Sequence, residues 1–186
     1  MSYKKLALKG FIDEMTDVSS GPHSRKFCFV LGAGASRTSG IKSGKELVDI
    51  WARELALRNP DDYSSWKSSL NITDDKKYSF YSHYYEKRYE RNPGDGYNYL
   101  EKLMEPAKPS PGYILLAHLL ANTEHNIVVT TNFDHLIEDA INYYIQAIPL
   151  VIGHESLAHY VTGKAKRSTV VKIHRDLLFD PANTVD

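Results

Sequence analysis

Three short stretches hold residue types that could act together chemically. The first is Gly32-Ala33-Gly34-Ala35-Ser36, which follows an apolar run and precedes Gly40-Ile41-Lys42-Ser43-Gly44 at the head of a helical pattern. Glycines let the backbone turn tightly and bring N–H groups close to a phosphate, whose charge a following helix N-terminus favours. The second is Thr130-Thr131-Asn132-Phe133-Asp134, an amide and a carboxylate on either side of a phenylalanine. Asn and Asp commonly cap helix starts, but two of them bracketing Phe133 ask for more than one cap. The third is Lys172-Ile173-His174-Arg175-Asp176, where His174 offers an imidazole suited to proton transfer. The glycine turn matches no standard phosphate loop in full. Arg37 stands where G-x-G-x-x-G needs its third glycine, and Gly40-x-x-x-Gly44-Lys45 is one residue short of the ATPase loop, with Glu46 in place of Ser or Thr.

The elements between these stretches decide whether they meet. Residues 26–31, 126–131, 148–152 and 168–174 are short, β-branched or aromatic runs of the kind that suits strands buried on both faces. Residues 45–58, 111–122 and 134–146 carry apolar side chains at helical spacing. This alternation predicts an α/β fold, a Rossmann-like parallel sheet flanked by helices. In such sheets ligands bind beyond the carboxyl ends of the strands, so a parallel arrangement puts all three stretches on one edge.

Residues 60–111 break the rhythm and are expected to form a helical insertion between the first and second strands, able to cover a cleft like a lid. Within it Tyr78, Tyr81, Tyr85 and Tyr89 recur at steps of three and four, so they read as a packed helical face. A single-strand stacking surface, drawing on nearby Lys76, Lys77, Lys87, Arg88 and Arg91, is the lesser reading. His154 and His159 have no third ligand at any known metal spacing and read as loop or surface residues.

Bulk composition narrows the classes. The chain of 186 residues, 42% hydrophobic, suits one domain over residues 1–186. Lysine plus arginine total 23 and aspartate plus glutamate total 23, so there is no global basic footprint and nucleic acid is an unlikely partner. The one cysteine, Cys28, lies in an apolar run and reads as a small core residue, which excludes a disulfide or a four-cysteine zinc site within the chain. The amphipathic N-terminus lacks a signal-peptide core and a membrane-spanning run, so the expected location is cytoplasmic with no membrane partner.

Taken in order, GAGAS followed by SGI, then TTNFD, then KIH resembles the glycine-rich turn, the T-x-N-x-D motif and the catalytic histidine of sirtuins. The chain looks closest to the sirtuin-like domains that hydrolyse NAD in bacterial antiphage defence proteins, over roughly residues 26–180. The resemblance implies that Gly32, Ala33, Gly34 and Ser36 line the pyrophosphate and ribose region, with Thr131 in the substrate site. Asn132 would sit at the nicotinamide ribose, Asp134 near the carboxamide, and His174 would be the base. NAD is then a consumed substrate, with no redox role and no metal. The implied enzyme is an NAD+ glycohydrolase, forming a homo-oligomer with a fused or associated sensor domain.

Departures from the sirtuin pattern refine this expectation. Ile41-Lys42-Ser43-Gly44 replaces the P-D-F-R sequence of the protein deacylases, and the cysteine count leaves no zinc ribbon. Both weaken an acyl-lysine substrate and leave water as the simplest acceptor. Arg175 stands where the family usually has glycine. The chain ends at Asp186, ahead of a further glycine-bearing strand exit in related domains, so a fragment of a larger protein is expected. The alternative from another class is a noncatalytic module that senses NAD or ADP-ribose; a residual deacylase ranks third.

Overall fold

The computed structural model describes residues 5, 7–20, 26–162 and 166–173. Its elements run α1 (Leu8–Ser20), β1 (Cys28–Leu31), α2 (Ala33–Ser36), α3 (Gly44–Arg58), α4 (Pro60–Ser69), α5 (Tyr81–Tyr89), α6 (Pro93–Met104), α7 (Pro111–Asn122), β2 (Ile127–Thr130), α8 (Leu136–Ala140), β3 (Leu150–Ile152) and β4 (Thr169–Lys172). The chain divides into two compact units, a sheet unit of Met1–Gly32 with Pro109–Asp186 and a helical unit of Ala33–Lys108.

In the sheet unit four strands pair in the order β1-β2-β4-β3, all parallel, as the strand and helix alternation predicts. Leu31 lies opposite Thr130, and Thr130 opposite Lys172, so the chain leaves these three strands side by side. Val128 and Val170 are fully buried, while α7 buries Tyr113, Ala117 and Leu120, the spacing of one helical face. The Ser168 hydroxyl donates to the Leu120 carbonyl at 3.1 Å and ties α7 to the entry of β4.

Burial on both faces holds for β4 but not for β1. The β1 residues alternate between exposed and half-buried, and Val30 is 74% exposed, on a strand that is at the sheet's edge among the described residues. Cys28, expected in the core, shares the open face of that strand and is exposed. The helix expected over residues 134–146 also differs. It winds as α8 and then as a π-helical segment, Ile141–Ile145, ended by Gln146 in the left-handed conformation at φ 56°.

A buried histidine holds α1 to the sheet unit. The Phe27 N–H donates to His125 Nδ1 at 3.1 Å, which leaves the hydrogen on Nε2 to donate to the Met15 carbonyl at 3.0 Å. Phe27 also meets Phe11 and His125 edge to face.

The helical unit is punctuated by its caps. Ser43 and Glu46 form a reciprocal capping box at the start of α3. Asn59 ends α3 and starts α4, its side chain accepting from the Asp62 N–H at 3.2 Å, with Pro60 in the first turn. The core gathers around Trp51, whose ring is contacted by Tyr81, Tyr85 and Tyr89 at 5.3, 5.6 and 6.2 Å between centroids. The tyrosine repeat is therefore a packing face, with Tyr78 left at the surface. Burial pushes the Tyr81 hydroxyl up to about 12, so these phenols stay neutral.

Candidate functional site

Parallel pairing brings the residues that follow β1, β2 and β4 to one edge, and hydrogen bonds stitch those exits together. The Thr131 N–H donates to the Leu31 carbonyl at 3.1 Å, and the Ile173 N–H donates to the Thr130 carbonyl at 3.0 Å. Asn132 reaches across the first seam, its side-chain Nδ2 donating to the Gly32 carbonyl at 3.1 Å. A carbonyl can only accept, so this contact assigns the amide orientation and fixes the Asn132 rotamer. The backbone of Asn132 is held too, its N–H donating to Thr130 Oγ1 at 3.0 Å. Two residues on, Asp134 Oδ1 accepts from the Leu136 N–H at 3.2 Å, a local turn that opens α8. Asn132 and Asp134 are both buried.

Of the residues that the sequence nominates, Gly32, Thr131, Asn132 and Asp134 come together in the sheet unit. Ala33, Gly34 and Ser36 form the short α2 that opens the helical unit, where Ser36 is buried and Gly34 exposed. His174 lies outside the described residues.

Backbone geometry does not explain the glycines at 32 and 34. Among the described residues the one glycine at positive φ is Gly40, at 88°, which closes the turn after Arg37–Ser39. A Cβ on Gly34 would meet nothing within 4 Å, and one on Gly32 would come only to 3.9 Å from Thr131 Oγ1. Neither position is forced to glycine by its own fold.

Behind the edge is a buried ionic cluster that the motif reading misses. Lys172, its side chain fully buried, places Nζ 2.9 Å from Glu138 Oε1 and 3.0 Å from His135 Nδ1. The ammonium can only donate, so His135 Nδ1 is the acceptor and has no hydrogen to give Glu138, 3.6 Å away. Burial opposes ionisation of Glu138, yet the charge and hydrogen bond of Lys172 outweigh it and hold the carboxyl below the usual range. Burial raises the neighbouring Asp139 instead. The signal for this cluster was in the sequence, a lysine inside the apolar run of β4, but its partner is far away along the chain.

The two histidines set aside as metal ligands have local roles. His154 Nδ1 accepts from the Ser156 N–H at 3.1 Å and starts a short 3-10 helix, and His159 lies against the Tyr160 ring. Among the described residues no group of three His, Cys, Asp or Glu could hold a metal ion, and no helix is long and apolar enough to cross a membrane. No protein-family model and no curated protein matches the chain.

Proposed function

We propose that this chain is an NAD+ glycohydrolase domain of the sirtuin-like kind, which cleaves the bond between nicotinamide and ribose to release nicotinamide and ADP-ribose. The observation that carries this reading is the Asn132 to Gly32 hydrogen bond across the carboxyl edge of a parallel sheet, one strand from the exit that leads to His174. Glycines at 32 and 34 are compatible with it, since without side chains they leave room for a ligand's close approach.

The chemistry suits these residue types. Nicotinamide departs as a neutral leaving group from a cationic nucleoside, so no general acid is needed, unlike ordinary glycoside hydrolysis. Water adds to the ribose carbon as the glycosidic bond breaks, and its proton passes to a neutral His174. Asn132 is an uncharged residue held in one rotamer, able to orient a ribose hydroxyl or the water without competing charge. Asp134 favours the pyridinium before cleavage, and the main-chain amides of the turn that begins at Gly32 anchor the diphosphate. In the same reading the domain is a cytoplasmic, homo-oligomeric effector that depletes NAD+ in antiphage defence, controlled by a sensor domain fused to or associated with it.

Chromatography of nicotinamide released from NAD+ tests the reading, with Asn132→Ala and His174→Ala beside the wild type. Release by the wild type that falls at least a hundredfold in both variants supports hydrolysis. Equal, negligible release by all three, with ADP-ribose still raising the melting temperature, would replace it with the noncatalytic sensing module, and turnover of an acyl-lysine peptide with the deacylase.

A further inference from the structure

The helical unit contains a cleft of about 550 Å³ built wholly from its own residues. It opens where the C-terminal ends of α3 and α5 meet the N-terminal ends of α4 and α6, a size usual for small-molecule sites. Leu55 and Tyr89, both nearly buried, supply an apolar wall.

Its charges are unevenly committed. Lys87 is held by Asp62 at 3.0 Å and Glu90 at 3.1 Å. Arg88 is paired with Glu54 and lies over the Tyr89 ring. The remaining carboxylate of the lining, Asp95, accepts from Asn92 Nδ2 at 2.9 Å. Arg58 and Arg91 also line the cleft, are exposed, and make no ion pair among the described residues. The cleft's carboxylates are thus engaged while two guanidinium forks are not.

We infer that this cleft binds a phosphorylated small molecule, with Arg58 and Arg91 clamping its phosphate. A guanidinium presents paired N–H donors in a plane that matches two phosphate oxygens, and two such forks suit a phosphomonoester or a diphosphate. The Leu55 and Tyr89 wall accepts the apolar side of whatever carries the phosphate. A nucleic-acid strand fits less well, because Asp62, Glu90 and Asp95 interrupt the cations and would repel a continuous phosphate backbone. This site is independent of the sheet-edge reading and stands or falls separately.

Calorimetric titration of the full chain with inorganic phosphate and with AMP tests it, comparing wild type with Arg58→Ala/Arg91→Ala and with Arg58→Lys/Arg91→Lys. Sites elsewhere contribute equally to all three proteins, so the difference reports this cleft. The expected result is saturable binding that weakens at least tenfold in the alanine pair and by a smaller factor in the lysine pair, which keeps charge and loses the fork. Tighter AMP than phosphate would identify an organic phosphate as the ligand, and equal affinity the free anion. The inference is overturned if neither ligand binds, if the variants bind as tightly as wild type, or if a single-stranded oligonucleotide binds more tightly than AMP through the same arginines. Should the alanine pair not fold, the lysine pair carries the same comparison.

Discussion

Replacing Lys172 by methionine isolates the buried cluster behind the sheet edge. The lysine side chain is fully buried and that of Glu138 only 8% exposed, so water cannot substitute for the lost cation. Breaking one partner of a buried ion pair costs about 3–5 kcal/mol, because the other charge stays desolvated and unmatched. Against a typical domain stability of about 5–15 kcal/mol that is a large fraction, readable as a lower urea midpoint at neutral pH. Exchanging both partners, Lys172→Met with Glu138→Leu, removes the stranded charge and restores most of the loss. The pH dependence gives a second readout. In the wild type the Glu138 carboxyl is depressed on folding, so its contribution is complete above the ordinary glutamate value and lost as pH falls through the depressed one. In Lys172→Met the cation that opposes burial is gone, so the folded value rises from its wild-type position. The variant then loses less stability than the wild type as pH falls, and its deficit should be smaller at about pH 4 than at about pH 8. A deficit under about 1 kcal/mol, or a double variant no better than the single one, would refute the reasoning.

Three further outcomes are expected. Gly34→Ala should leave thermal stability unchanged or slightly raised, since its Cβ meets nothing within 4 Å, while nicotinamide release drops about tenfold or more if a ligand passes there. Unaltered release would remove Gly34 from the substrate surface. Gly96→Ala should lower the unfolding free energy by about 1–3 kcal/mol through overpacking, read as a lower urea midpoint, because its Cβ would lie 2.6 Å from the Tyr85 hydroxyl oxygen and 2.8 Å from the Tyr89 ring. A rise in stability, the result that helix propensity alone favours, would mean the tyrosines move aside at no cost. His125→Ala should cost about 2 kcal/mol or more through the lost bonds to Phe27 and Met15 and speed proteolysis between residues 8 and 20. Cleavage there at the wild-type rate would show that α1 is held by other contacts.

Local chemistry made the fold class and the starts of α3 and α7 legible. Asn59-Pro60 and Ser110-Pro111 each open a helix with proline in its first turn, and the β-branched runs announce a parallel sheet. Strand ends were less legible, because apolar side chains continue beyond the paired backbone. Phe27, for example, lies outside β1 and spends its N–H on His125. Cys28 and Val30 are exposed on a strand at the sheet's edge among the described residues, and sheet order is a tertiary property that no local window carries. At the site, the glycine turn and Asn132 could be nominated from type and spacing. The bond from Asn132 to Gly32 joins residues a hundred positions apart and appears only once β1 and β2 pair. Glu138 was hidden for a related reason, since on its helix it looks like a surface charge and only its meeting with Lys172 makes burial of either tolerable.

The wide-wound segment Ile141–Ile145 changes how substitutions on this part of the chain must be chosen. Counting forward from Leu136 in steps of an ordinary helix assigns each side chain about 100° of rotation per residue. Past Ala140 that ruler slips, so a designer who selects positions by the usual repeat would decorate the wrong flank of the cylinder. Deleting one residue within the segment is the direct way to restore regular winding, because a π-turn takes up one extra residue and its removal leaves the following residues in nearly the same phase.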